Sequence, residues 1–500
     1  MLLTEDLHYI SHLTMEPSWI MIGSFCFKGQ SKDCSFRTEV KRDVLWHLNT
    51  ERLRIIMMFT RKQLFQLILP LIIEQILAVS VGLVGIIMVS RATGEAGISG
   101  VSLVDTLNVL LITLFSSLAT GGAVVSSQYM GRKENDNASK AGSQLIITTL
   151  MISLVIMLIS LIGNENILIM IYGKQEAAIM DSAKIYFFIT AFSFPFLAVY
   201  NSCAALFRAM GNSKVSMYVS LLMNIINAVG IYIMIFLLDM GVEGVAIPTL
   251  TARAVSAIIM FILICNKKNP IYMNNILRTG IDFQMIKRIL NIGVPNGLEN
   301  SIFQIGKIMV QGLTASLGSV AIAANAAAGT IAGFALIPGS AMGLAMITVV
   351  GRCIGAGNIK EAKNYTKKLM KACYLIMCGL NIGIILLREP IVWVFKLSPA
   401  AEETTIMLIL YHSICCCIVW PLSFALPNAL RAANDVRTTM IISIVSMWVW
   451  RIAFSYLLVK GLKMGVMGVW VAMTIDWLFR AICFTLRFVR GKWVKHAYIH

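Results

Sequence analysis

The sequence predicts an all-α membrane protein of twelve transmembrane helices, built as two parallel-repeat six-helix lobes. Three observations predict it. Of the 500 residues, 58% are apolar and 13% charged, with a mean hydropathy of +0.78, whereas a soluble domain carries about a quarter charged residues. A window of about nineteen residues finds twelve long apolar runs joined by short connections. Landmark residues of the first half also recur, in order, in the second. Disordered, collagen-like and coiled-coil readings fail on the same composition.

Each run has its own justification. The first, 63–90, follows Arg61 and Lys62 and carries Pro70 and Glu74. The second, 98–128, holds Asp105 and then Gly121, Gly122 and Ser126, small residues suited to close helix packing. The third and fourth are 142–163 and 181–207, the fourth closed by Arg208. The fifth, 215–238, holds Asn224 and Asn227, and the sixth, 243–265, holds Arg253. The seventh, 285–316, repeats the first with Pro295 and Glu299 and adds Lys307. The eighth, 321–350, contains Gly339 and Gly343, and the ninth is 369–388. The tenth, 403–430, carries His412 and Trp420 and is closed by Arg431. The eleventh and twelfth, 437–459 and 464–489, contribute Trp448, Trp450, Arg451, Asp476 and Arg480. Irregular backbone cannot face lipid, so every run must be helical.

Domain boundaries follow: a poorly ordered extension at 1–57, a first lobe at 58–268, a linker at 269–284, a second lobe at 285–490 and a tail at 491–500. The extension lacks a basic segment followed by an apolar one, so it is not a signal peptide. Met57 or Met58 is the first convincing start, which makes the extension a translation-start artefact or a disordered tail.

The net charge of +17 raises nucleic acid as a partner, but its placement argues otherwise. With the segment before the first run in the cytoplasm, loops on that side hold Lys and Arg in a ratio of about 26 to 7 over the other side. The charge therefore reads as a topology signal: a multi-pass protein of the plasma (inner) membrane, in contact with lipid, with both termini cytoplasmic and no nucleic-acid partner. The eleven cysteines include no CxxC pair, and Cys415, Cys416 and Cys417 are consecutive, so they point in three directions on a helix. No zinc or haem spacing occurs, and no metal or cofactor is expected. The short loops hold no constellation of His, Asp or Ser, which argues against an enzyme.

The repeat is specific. Pro70 and Glu74 correspond to Pro295 and Glu299, Gly131 and Arg132 to Gly351 and Arg352, Arg208 and Ala209 to Arg431 and Ala432, and the segment Met240 to Val245 to Met464 to Val469. Six spans per half leave the halves in one orientation, the parallel arrangement that places a substrate site between two bundles.

Intramembrane charges are few: Glu74, Asp105, Glu299 and Asp476 against Arg253, Lys307, Arg451 and Arg480. An acid near a helix centre costs roughly 2.5–3.5 kcal/mol on insertion scales, so a partner, a wet cavity or a bound cation must offset it. Glu74 and Glu299, one turn beyond equivalent prolines, are the first candidates to bind an ion and a substrate in turn; the alternative is a structural hydrogen-bond acceptor. Asp476 and Arg480, spaced i, i+4, form either an ion pair or part of an ion site. Asp105, about two turns into its span, is either a site or simply wet. Arg208 and Arg431 read as cytoplasmic anchors. The thirty methionines suit an adaptable apolar surface, and Phe192, Phe194, Tyr200, Trp420, Trp448 and Trp450 suit stacking on cationic drugs.

With these residues in place, the chain resembles the multidrug and toxic compound extrusion (MATE) family of antiporters over residues 58–490. The resemblance rests on LPLIIEQ, MVSRATGEAGISGVSLVDTLN, ALFRAMGNSK and GVEGVAIPT in the first half. IGVPNGLENSIFQ, IPGSAMGLAMITVVGRCIGAGN, LRAANDVR and GVWVAMTIDWLFRA carry it in the second. It implies two six-helix lobes packed in a V, a monomer, and export of cationic amphipathic compounds driven by uptake of H+ or Na+ as coupling ion. The chain departs from the family at three points. Gly85 stands where proton-coupled members carry an aspartate. Asn224, Asn227 and Ala228 stand near the place of a second one, which makes the two asparagines candidate site residues. Trp420 stands where sodium-coupled members carry an aspartate, and Glu299 lies a turn early. The coupling ion stays open between H+ and Na+. A flippase for lipid-linked oligosaccharide, from the wider superfamily, is the alternative, and should line its cavity with several Arg or Lys.

Overall fold

The computed structural model describes residues 58–92, 94–173, 175–273 and 280–497, with the side chains of 81–96 outside that description. The extension at 1–57 and the surroundings of Gly85 therefore lie outside the described residues. The chain from Phe59 onward forms one compact unit.

Among the described residues, all twelve expected spans are helical. The first six are Arg61–Ala92, Gly94–Gly131, Asn135–Ile162, the pair Ala177–Ala191 and Phe194–Ala209, Ser213–Tyr232, and Glu243–Ile264. The second six begin with Phe283–Ala315, Ser319–Gly355, Ile359–Leu386 and Pro399–Ile418, the last running on to Leu426–Ala432. They end with Val436–Ser446, extended by π-helical turns to Gly461, and Gly465–Val489. Short helices, Asn164–Tyr172 and Arg388–Trp393, occupy equivalent places before the fourth and tenth spans. Among the described residues ten helices are long and apolar enough to cross a bilayer, and the bent fourth span, counted as one, makes an eleventh. The seventh has the length, 33 residues or about 50 Å. Its Lys287, Arg288, Asn291, Asn296, Glu299, Asn300, Gln304 and Lys307 spread polar side chains along most of its length.

Several spans differ from the continuous α-helices expected. The fourth bends by 49° between its two parts, where Pro195 opens the second part. The tenth passes through a π turn, Pro421–Ala425, because Pro421 has no N–H to continue the ladder. A longer π segment, Met447–Ala453, carries Arg451 in the eleventh span. Such turns are rare in helices and frequent at functional sites.

The two halves are fused at one end. A core around Leu145, Leu206 and Met260 of the first lobe continues into Ile289, Ile292, Ile347 and Val436 of the second. Towards the other end each lobe has its own core, around Phe115, Phe187 and Phe194 in one and Leu408, Val469 and Trp470 in the other. The fused end carries most of the Lys and Arg and is called the basic end below. There, glycines bring backbones together: a Cβ on Gly131 would strike the Arg352 carbonyl, and one on Gly355 the Gln128 carbonyl. Each lobe also caps the other. Gln128 Nε2 donates to the Ala432 carbonyl at 2.9 Å. Arg352 donates to the Ala209 carbonyl at 2.8 and 3.2 Å, and Thr348 to that of Arg208 at 3.0 Å. These carbonyls lie at the C-terminal ends of the tenth and fourth spans, where a helix runs out of amides to meet them; the Arg208 carbonyl also accepts from the Gly211 amide at 2.8 Å. Outward side chains such as Ile162, Leu386 and Val489 are exposed and apolar, as a lipid-facing skin requires.

The seventh span starts on a well-made cap. Asp282 Oδ1 accepts from the amides of Gln284 and Met285 at 3.0 Å each, and Lys140 Nζ lies 2.7 Å from its Oδ2. Lys140 foremost, then the Met285 amide, hold this carboxyl below its ordinary value of 3.8. A depressed carboxylate adds stability above pH 3.8 that is lost as the pH falls through its folded value. Asp282→Ala should therefore melt below the parent chain at about pH 7, and the gap should narrow towards about pH 3, as thermal melts in detergent would record.

Candidate functional site

Two buried ion pairs stand in equivalent places of the repeat. In the first lobe Arg208 Nη1 donates to Glu74 Oε1 at 3.2 Å, and Ser216 Oγ donates to Oε2 at 2.9 Å. In the second, Arg431 Nη2 donates to Glu299 Oε1 at 2.6 Å, while its Nη1 donates to Asn428 Oδ1 at 2.9 Å. Glu74, Glu299 and Arg431 are all buried. The reading of Arg208 and Arg431 as interfacial anchors is thereby corrected. Each guanidinium turns inward, because burying Glu74 or Glu299 without a cation would cost more than placing the arginine at the interface. The two pairs tie the first span to the fourth and the seventh to the tenth.

Asp476 is fully buried. Arg480 Nε donates to its Oδ1 at 3.0 Å and Ser446 Oγ donates to the same oxygen, while Arg451 Nη1 lies 3.6 Å from Oδ2. The i, i+4 pair expected from the sequence is present, with a second arginine beside it. Asp105 differs from these three acids. No Lys or Arg lies within ion-pair distance of it among the described residues; Tyr186 Oη donates to its Oδ1 at 3.0 Å and Asn108 Nδ2 at 3.3 Å. Arg253 forms no ion pair with it, its Nη1 donating instead to Ser193 Oγ at 2.7 Å. Thr249 Oγ1 donates to Asn227 Oδ1 at 3.1 Å and lies within reach of Tyr186. Asp105, Tyr186, Thr249 and Asn227 thus make one oxygen-rich group drawn from four spans of the first lobe. Asn224 is partly buried, and its Nδ2 meets no acceptor.

Two hollows accompany these groups. One, of about 550 Å³, lies between the lobes. It is walled by Gln75, Thr113, Ser116 and Thr120 from the first lobe and by Asn296, Glu299, Asn300, Phe303, Trp420, Phe424 and Arg431 from the second. Its chemistry is uncharged polar and aromatic, with the Glu299–Arg431 pair in one wall and Arg480 beside it. The other, of about 430 Å³, lies inside the second lobe behind Phe303, Trp420 and Phe424, and contains Lys307, His412 and Arg451. Tyr186, Thr249, Ser216 and Phe303 carry no spacing signal in the sequence. The partners of Glu74 and Glu299 did carry one: equivalent acids and equivalent arginines recur at matching places in the two halves.

The family model MatE matches residues 70–233 and 295–457, the same stretch of each half. A protein of Thermotoga maritima named "Probable multidrug resistance protein NorM" is 26% identical over 87% of this chain and 94% of its own length. One of Bacillus subtilis named "Uncharacterized transporter YisQ" is 26% identical over 86% of this chain and 95% of its own. A solved structure described as the outward-facing conformation of a multidrug resistance MATE family transporter of the MOP superfamily superposes with a TM-score of 0.81. Its identity is 19%, over 87% of this chain and 96% of the other.

Proposed function

The chain belongs to the MatE family of transporters, and on that premise we propose that it is a secondary-active multidrug exporter. It exchanges amphipathic compounds, cationic ones among them, for H+ or Na+ by alternating access. In this reading it works as a monomer in the plasma membrane with the basic end and the 491–500 tail in the cytoplasm. The observation that carries the reading is the hollow of about 550 Å³ whose walls come from both lobes, above an end where the lobes cap one another. Rocking of the lobes about that hollow would expose it to each side in turn.

Asp105, rather than Glu74 or Glu299, is the acid best placed to take the coupling ion. Glu74, Glu299 and Asp476 each already hold an arginine, and a permanent cation must be displaced before another can bind. Asp105 faces hydroxyl and amide groups instead, so a proton or a sodium ion can neutralise it in place. The test is ethidium efflux from everted vesicles under an imposed pH or sodium gradient. Gradient-driven efflux is expected from the parent chain. Asp105→Asn should lose its gradient dependence, by about tenfold or more, at unchanged protein level. No gradient-driven efflux of any cationic dye would overturn the exporter reading, and full coupling in Asp105→Asn would overturn the assignment of the acid.

A further inference from the structure

The chamber inside the second lobe has a charge problem that the transport reading does not use. Its charged lining is of one sign, Lys307 and Arg451, with no carboxylate. Arg480 adds a third cation just behind the wall, its guanidinium 5.1 Å from the ring centres of Phe303 and of Phe424. Asp476 is the acid of this group, and it is already held by Arg480 at 3.0 Å and Arg451 at 3.6 Å. Lys307 has no carboxylate within ion-pair distance among the described residues. Its ammonium sits 5.9 Å from the Phe303 ring centre, and its side chain is open to the chamber. Three cations thus share one anion: Arg480 is buried and Arg451 largely so, where an uncompensated charge is costly, and Lys307 is exposed at the chamber wall.

The remaining walls are aromatic. Trp420 stacks on Phe424 with ring centres 5.1 Å apart, and Trp470 and Trp477 stand edge-on to His412 at 5.5 and 5.4 Å. A hollow of about 430 Å³ lies within the range of sites that enclose a small organic molecule. The equivalent region of the first lobe holds an acid among its described residues, Asp105 amid hydroxyl and amide groups with Arg253 further off, so the two halves differ in polarity there.

We infer that this chamber binds an organic anion, an aryl carboxylate whose flat ring lies among Trp420, Phe424, Trp470 and Trp477 and whose carboxylate meets Lys307 and Arg451. Such an anion restores the local charge balance. A cation of the same shape would face Lys307 and Arg451 with no acid to receive it, so the chamber selects by repulsion as well as attraction. Phe303, Trp420 and Phe424 wall both hollows, which puts the bound anion one aromatic layer from the space between the lobes. The inference concerns binding, and stands or falls apart from the identity of the driving ion.

The experiment uses the purified full chain in detergent, titrated calorimetrically against micelle blanks with three molecules sharing one ring system: 2-naphthoate, neutral 2-naphthamide and cationic 2-naphthylmethylammonium. The naphthoate should bind at least about tenfold more tightly than the cation. Lys307→Gln should weaken naphthoate by about ten- to a hundredfold, the worth of a charge-assisted hydrogen bond, and leave naphthamide within about threefold. Lys307→Arg keeps the charge and should keep the preference for naphthoate. The inference is overturned if the cation binds as well as naphthoate, if naphthoate does not bind, or if Lys307→Gln in a folded chain leaves naphthoate affinity within about threefold. A chain that binds naphthoate but shows no gradient-driven efflux would sink the exporter reading and leave this one intact.

Discussion

Asp476→Asn should lower the stability of the protein by about 3–5 kcal/mol, the largest effect expected of any conservative single substitution here. Asp476 is fully buried, and Arg480, 3% exposed, is nearly so. Their contact at 3.0 Å is joined by Ser446 and, at 3.6 Å, by Arg451. Removing the negative charge leaves Arg451 and Arg480 side by side with Lys307 across the chamber and no anion among them. Arg480 keeps only neutral partners, such as the Ser443 carbonyl at 3.0 Å. The diagnosis is separable from a simple packing defect. If the loss comes from orphaned charge, the double variant Asp476→Asn with Arg480→Met should regain most of it, because removing both members of a buried pair is far cheaper than removing one. Thermal unfolding of the four chains of that cycle in detergent measures the coupling. A loss below about 1 kcal/mol for the single variant would mean that the guanidinium groups are already solvated from the chamber.

Gly355→Val should abolish transport, reducing gradient-driven efflux at least about tenfold, because it forces the lobes apart where they are fused. The new side chain meets the Gln128 carbonyl, a backbone atom that cannot swing aside, and Gly131 stands against the Arg352 carbonyl in the same seam. Separation there breaks the bonds from Gln128 to Ala432 and from Arg352 to Ala209. Overpacking of about 1–3 kcal/mol and lost hydrogen bonds of about 0.5–1.5 kcal/mol each fall on one conformation of the cycle, the one with the basic end shut. Gly379→Ala, in the ninth span, is the control, since a Cβ there meets open space; it should transport like the parent chain. Normal efflux in Gly355→Val at normal protein level would show that the seam need not close.

Much of the architecture was legible because composition, hydropathy and the repeat each point to it independently. The spans are where the apolar runs place them, with errors of a recognisable kind. The ninth was expected at 369–388 and begins at Ile359, since Lys360, Lys363, Lys367, Lys368 and Lys371 hide its first turns from a hydropathy window. The bend before Pro195 and the π turn at Pro421 were not expected, although proline was the available signal. The site was legible in part. Asp476 and Arg480 meet because one helix sets their spacing. Glu74 and Arg208 are 134 residues apart and Glu299 and Arg431 132, so only the repeat could have matched them. Charge asymmetry in the loops accounts for both arginines equally well, so the sequence does not distinguish an anchor from a buried partner. The group around Asp105 and the cationic chamber are assembled from side chains on several spans, and no linear pattern encodes which spans will face one another.

The mutual caps at the basic end have a consequence for how the duplication persists. Neither half is finished alone: the Ala209 carbonyl that ends the fourth span and the Ala432 carbonyl that ends the tenth find their donors in the other half. A lone half would present bare acceptors and an open apolar seam, so its two descendants are held together by mutual incompleteness more firmly than by the peptide thread between them. Swapping or permuting the halves would have to preserve that exchange of donors, whatever else it altered.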